Sequence, residues 1–184
     1  MAESGASKFI AERRTEIRIN DDCLVPDKQL LLRYTGLDPF RVAKKITESL
    51  RPFFHVSKAG WNWYRLNWDA SDDPILFFSR WWVVKRYSHF SRMHIEIKVQ
   101  GSVSKTTNEG QFTMTLNARI RTEWKGVGMW PLTKLAWELY SYFFYNKARM
   151  SFIENCRNSV NEFVNEVKRA YSLETGHAAA VAVG

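Results

Sequence analysis

Two stretches of strict two-residue alternation constrain this chain more than any other feature. Met93, Ile95, Ile97, Val99, Gly101 and Val103 alternate with His94, Glu96, Lys98, Gln100, Ser102 and Ser104. Phe112, Met114, Leu116, Ala118 and Ile120 alternate with Thr113, Thr115, Asn117, Arg119 and Arg121. Successive side chains of a strand point to opposite faces, so each stretch reads as a strand with one dry and one wet face. The segment 105–110, KTTNEG, is turn-like and joins the two into a long antiparallel hairpin. A sheet wet on one side is antiparallel and needs an apolar cover only on the other.

The cover is C-terminal. Ile153, Cys156, Val160, Phe163, Val167 and Tyr171 recur at steps of three or four, while Glu154, Arg157, Asn161, Glu162, Asn165 and Lys168 take the outside. An unbroken helix over 131–171 would run roughly 60 Å at about 1.5 Å per residue. That exceeds a small domain and predicts a bend or break near 141–147. Upstream, the apolar run 30–35 predicts a buried strand. Asp38 and Pro39 predict a helix start, with Asp38 as N-cap and Pro39 as the first helical residue. Phe40, Ala43, Ile46 and Leu50 give that helix its apolar face, and Pro52 predicts its stop near Arg51. The aromatic and β-branched segments 60–68 and 81–87 read as strands, 69–74 as a turn, and 16–20 as an extra edge strand. The fold class expected is α+β, a helix-grip-like curved antiparallel sheet packed against a long C-terminal helix.

A length of 184 residues predicts one domain. The expected organisation is a flexible or extended N-terminal segment over 1–27, a single α+β domain over 28–173 and a disordered tail over 174–184. Hydrophobic residues at 45% and charged residues at 25% set the chain apart from disordered sequences. Cys23 and Cys156 are the only cysteines. They make no disulfide framework and no CxxC motif, and their spacing leaves open whether they pair. Residues 1–14 have no apolar core of a secretory signal and no apolar run approaches 18 residues, so a cytoplasmic location is expected, with membrane-peripheral attachment as its variant.

Catalytic signatures are weak. His94 and Glu96 share the wet face of one strand, but no third metal ligand accompanies them. Cys156 sits on the apolar stripe of the last helix, where it reads as core. Asp69, Asp72 and Asp73 lie among turn residues. With no Gly-rich phosphate loop and no GxSxG, no catalytic residue, metal or cofactor is expected.

The order of elements resembles the START/polyketide-cyclase-like (SRPBCC, helix-grip) superfamily over residues 29–171. The resemblance is carried by the opening LLLRYTGLDPFRVAKKI, the hairpin over 93–124 and the helix after Pro131. It implies a cavity between sheet and last helix that takes lipids, sterols, polyketides or other apolar molecules. On the residues themselves, Leu139, Tyr142, Phe143, Phe144 and Met150 are expected to face the sheet, opposite Trp63, Trp82, Met114 and Leu116. The expected lining of an apolar-ligand site is therefore Trp63, Trp82, Met114, Leu116, Tyr142, Phe143 and Met150, with Arg65, Tyr87 and Tyr145 as polar anchors. The same rings also suit a simply filled core.

Two other partner classes stand beside this one. The net charge is +8, and Lys85, Arg86, Arg92, Lys98, Arg119 and Arg121 interleave with Trp81, Trp82, Tyr87 and Phe90. A basic sheet with exposed rings binds single-stranded nucleic acid such as RNA. Residues 124–145 mix Trp, Tyr and Lys with aliphatics, a composition suited to the interface of an anionic membrane.

Overall fold

The computed structural model describes residues 15–126 and 130–171. Six strands make one curved antiparallel sheet: β1 (Thr15–Asp22), β2 (Leu30–Leu37), β3 (Trp61–Asp69), β4 (Ile75–Arg86), β5 (Ser91–Val103) and β6 (Glu109–Gly126). Helix α1 (Arg41–Phe54) follows β2. After β6 come α2 (Trp130–Tyr140), a π-helical turn (Ser141–Tyr145) and the long α3 (Asn146–Ala170).

The spatial order is β1-β6-β5-β4-β3, with β2 also on β6. At 18 residues β6 is long enough to hold β5 along one side and two strands end to end along the other. Its first half pairs β2, from Leu37↔Glu109 to Leu30↔Leu116, and its second half pairs β1, from Asp22↔Arg119 to Thr15↔Gly126. The edge strand expected over 16–20 is thus part of the sheet. The expectations for residues 1–14 and for the 174–184 tail lie outside the described residues.

The dry face of the hairpin is the inner face of the sheet. Ile95, Ile97, Val99, Met114, Leu116 and Ile120 are buried there against Val42, Ile46, Leu50 and Phe54 of α1 and against Val160, Phe163 and Val167 of α3. Phe163 is the hinge of this packing, its ring 5.2 Å from Phe53 and 5.3 Å from Phe54. Gly101 sits in the inward series because the Phe77 ring and the β6 backbone occupy the space where a Cβ would stand.

Two helix boundaries differ from expectation. Asp38 is not the N-cap of α1; it adopts φ 47°, and its carbonyl accepts from Arg41 N–H at 3.2 Å. Asp tolerates this left-handed geometry, so it turns the chain two residues before Phe40 becomes the N-cap. Pro52 does not end α1, which continues to Phe54. The last turn survives because Phe53 and Phe54 are seated on Phe163, and His55 then closes it in the left-handed conformation.

The β1–β2 loop is clamped to α3. Cys23 and Cys156 form a disulfide with Cα atoms 6.0 Å apart. Beside it, Arg157 donates to the carbonyls of Cys23 at 3.0 Å and Val25 at 3.1 Å. Two turns earlier, Arg149 Nε lies 3.1 Å from Asp21 Oδ2.

Candidate functional site

The ten residues expected to surround a ligand are dispersed. Met114 and Leu116 are fully buried within the packed core. Trp63 is on the inner face but at the open β3 edge, where its ring stacks on Trp81 at 6.1 Å and its indole N–H donates to Ser79 Oγ at 3.1 Å. Trp82 is on the outer face: Phe77, Trp81 and Val83 are the buried parity of β4, which turns Trp82 toward solvent. Arg65 is exposed near the same edge and donates to Asn67 Oδ1 at 3.2 Å. Tyr87 stacks on Phe152 at 5.2 Å and points its hydroxyl at Met93 Sδ, 3.5 Å away. Burial raises its pKa.

The start of the C-terminal helical stretch faces opposite to expectation. Trp137 and Tyr145 are buried, whereas Tyr142, Phe143 and Phe144 are 74%, 66% and 71% exposed, and Leu139 and Met150 are exposed with them. Trp137 takes the inward place, its ring 5.2 Å from Trp124 and 5.3 Å from Phe90, which turns Leu139, Tyr142 and Phe143 outward on a helix of 3.6 residues per turn. The π-helical turn decides between Phe144 and Tyr145. In a regular helix, residues 137 and 144 would share a face; the wider turn inserts one residue, so Tyr145 takes the inward place and Phe144 is rotated out. Tyr145 is then locked by its hydroxyl, 2.8 Å from both Ser88 Oγ and Ser91 Oγ, while Ser91 Oγ lies 2.6 Å from Thr122 Oγ1. Tyr145 is therefore a polar anchor of the fold, tying the π turn to the β4–β5 connection. Where a bend or break was expected near 141–147, the helical stretch runs on without a break through this π-helical turn into α3.

The outcome is an apolar surface exposed among the described residues. Leu132, Leu135, Leu139, Tyr142 and Phe143 follow a helical stripe, with Tyr140 and Phe144 beside it, all exposed. Soluble monomers rarely expose contiguous apolar patches beyond a few hundred Å². Leu132 and Leu135 were not among the expected site residues; their helical spacing with Leu139 was the available signal.

The wet face of the sheet carries the second surface. A cleft of about 670 Å³ is floored by Arg80, Trp82, His94, Glu96, Asn117 and Arg119 and rimmed by Tyr64, Asp22 and Lys28. Arg80 pairs with Glu96 and lies over the Tyr64 ring at 5.3 Å, and Lys98 Nζ is 3.3 Å from Glu96 Oε2. Burial acts to raise the Glu96 pKa, but Lys98 and Arg80 outweigh it and hold the carboxyl below its ordinary value. A hollow of about 310 Å³ adjoins, lined by Arg86, His89, Phe90, Arg92, Arg121 and Lys125 with Glu123. His94 belongs to both. Together the two concavities present seven Lys or Arg side chains against three carboxylates. The hollow meets the apolar surface at Phe90, whose ring is 5.3 Å from Trp137 and 5.7 Å from Tyr145.

Among the described residues, no three His, Cys, Asp or Glu side chains cluster as metal ligands, and no helix is long and apolar enough to cross a membrane. His94 and Glu96 do share the wet face, each surrounded by cations. No protein-family model and no curated protein matches this chain.

Proposed function

We propose that this protein attaches peripherally to an anionic membrane, laying the aromatic end of its C-terminal helical stretch into the interface. The observation that carries this reading is the contiguity of two unlike surfaces. Tyr142, Phe143 and Phe144 present their rings to solvent with Leu132, Leu135 and Leu139, and Phe90 links that end of the molecule to a hollow rich in arginine. Aromatic and aliphatic side chains enter the headgroup–acyl boundary while nearby cations meet the lipid charge. Burial of each large apolar side chain contributes about 1.5–3 kcal/mol, and each cation near the surface about 1 kcal/mol. The Cys23–Cys156 bridge supports the oxidising side of that membrane over a reducing cytoplasm, because disulfides persist in oxidising compartments.

An apolar ligand held between sheet and α3 is the lesser reading. Met114 and Leu116 are packed among the helical side chains, so a ligand there would have to displace them.

Co-sedimentation with vesicles tests the proposal. The native protein is expected to sediment with vesicles containing phosphatidylserine and to remain in the supernatant with pure phosphatidylcholine. The double variant Phe143→Ser/Phe144→Ser should bind at least tenfold more weakly, since losing two buried rings costs about 3 kcal/mol or more. Its circular dichroism should not change, because both side chains are exposed. A native protein that ignores anionic vesicles, or one that is a dimer in sedimentation equilibrium and is made monomeric by the same double variant, overturns the reading.

A further inference from the structure

The outer face of the sheet sets cations in register instead of alternating them with carboxylates. Arg86 of β4 stands opposite Arg92 of β5, and Arg92 stands opposite Arg121 of β6. Three arginines therefore lie side by side on adjacent strands, about 4.8 Å apart at each step. Like charges directly opposite one another destabilise an antiparallel pair, so stability of the sheet does not explain the row. Glu123 relieves only one end, at 2.6 Å from Arg121 Nε. Arg86 and Arg92 form no ion pair among the described residues. The row lines the hollow of about 310 Å³, so the charge is concentrated in a concavity and not spread over a convex surface. The next register pair sets Arg119 opposite His94. The His94 pKa is lowered first by burial and then by Arg119, Arg121 and Arg92, with Glu123 opposing. The histidine thus senses a positive potential that the local carboxylates leave in place.

We propose that the Arg86–Arg92–Arg121 row is a binding site for closely spaced phosphate groups. The guanidinium fork matches phosphate oxygens two at a time, and such charge-assisted hydrogen bonds are the strong ones. A single phosphate occupies one or two forks. Two or three linked phosphates match a row whose outer Cα atoms are roughly 10 Å apart. Soluble polyphosphates and polyphosphorylated lipid head groups offer the same chemistry, and the site does not depend on the membrane reading.

Calorimetric titration with tripolyphosphate at low ionic strength tests the assignment. Saturable binding of one tripolyphosphate per chain is expected, at least tenfold tighter than binding of orthophosphate. Arg92→Gln should weaken it at least tenfold, whereas Lys98→Gln, outside the row, should change it by less than twofold. Arg92→Gln should also raise the thermal midpoint, because a like-charge pairing is removed, and Arg86→Gln provides a second reading of the same row. Binding no tighter than orthophosphate overturns the proposal. So does equal weakening by Arg92→Gln and Lys98→Gln, or a preference for single-stranded RNA over tripolyphosphate at equal phosphate concentration. The source is separated by vesicles. Preference for a bisphosphorylated inositol lipid over phosphatidylserine at equal surface charge, reversed by added tripolyphosphate, assigns the site to a lipid head group. Tripolyphosphate binding without that preference assigns it to a soluble ligand. Because Phe143→Ser/Phe144→Ser leaves the row intact, its tripolyphosphate binding distinguishes failure at the membrane from failure at this site.

Discussion

Trp81 is fully buried, yet its indole N–H reaches Thr47 Oγ1 of α1 at 3.1 Å. Its neighbour Trp82 looks out over the basic cleft. Two adjacent residues of one type thus serve different surfaces, because a strand sends successive side chains to opposite faces. His94 shows how sharply the outer face differs from the inner. Burial and then Arg119, Arg121 and Arg92 hold its pKa below the ordinary 6.5, with Glu123 the opposing carboxylate and Arg86 on the next strand over. The unfolded chain therefore binds this proton more readily than the native one. The stability contributed by neutral His94 is complete above about 6.5 and is lost as pH falls from there toward the native value. The denaturation midpoint is expected to decline between about pH 7.5 and about pH 5.5, and His94→Gln should flatten that decline. An unchanged profile in His94→Gln would show that another group titrates in this range.

At the scale of elements, α3 is held by more than its apolar stripe. The Cys23–Cys156 bridge joins positions 133 residues apart in sequence, and the Arg157 and Arg149 contacts flank it. A cross-link over so long a loop restricts the unfolded chain strongly, and such bridges typically contribute about 2–4 kcal/mol. The native protein should show no titratable thiol before reduction and two afterwards, and reduction should lower the unfolding free energy by about that amount. Two thiols titrating in the untreated protein would contradict the bridge. The π turn is the other decisive element. Its one inserted residue puts Tyr145 in the core in place of Phe144, and so adds the Phe144 ring to the exposed stripe on which the membrane proposal rests. The sequence shows a run of aromatics over 140–145 but no mark of the wider turn. The choice between Phe144 and Tyr145 is made by the hydroxyl partners Ser88 and Ser91, more than 50 residues away.

For the whole molecule, sheet and helices share one core, and Phe163 touches Phe53 and Phe54 of α1 from α3. Phe163→Ala should cost about 3–5 kcal/mol, read as a lower denaturant midpoint. Far- and near-ultraviolet signals should move together, since no element has a core of its own; separate transitions would argue against a single unit. Much of this architecture was legible in residue order. The 93–103 and 112–120 alternations specified the hairpin, and the Ile153–Val167 spacing specified its cover, because period-two and period-3.6 patterns are local consequences of backbone geometry. The candidate surfaces were legible only in part. The outward positions of His94, Arg119 and Arg121 follow from the alternation alone, but the row of arginines exists only through strand register. That register places Arg86, Arg92 and Arg121 abreast. Chain chemistry alone settled the periods, the faces and the excess of positive charge. Register, the pairing of Cys23 with Cys156 and the rotation of the aromatic stripe away from the sheet were decided by tertiary packing, because each depends on a partner distant in sequence.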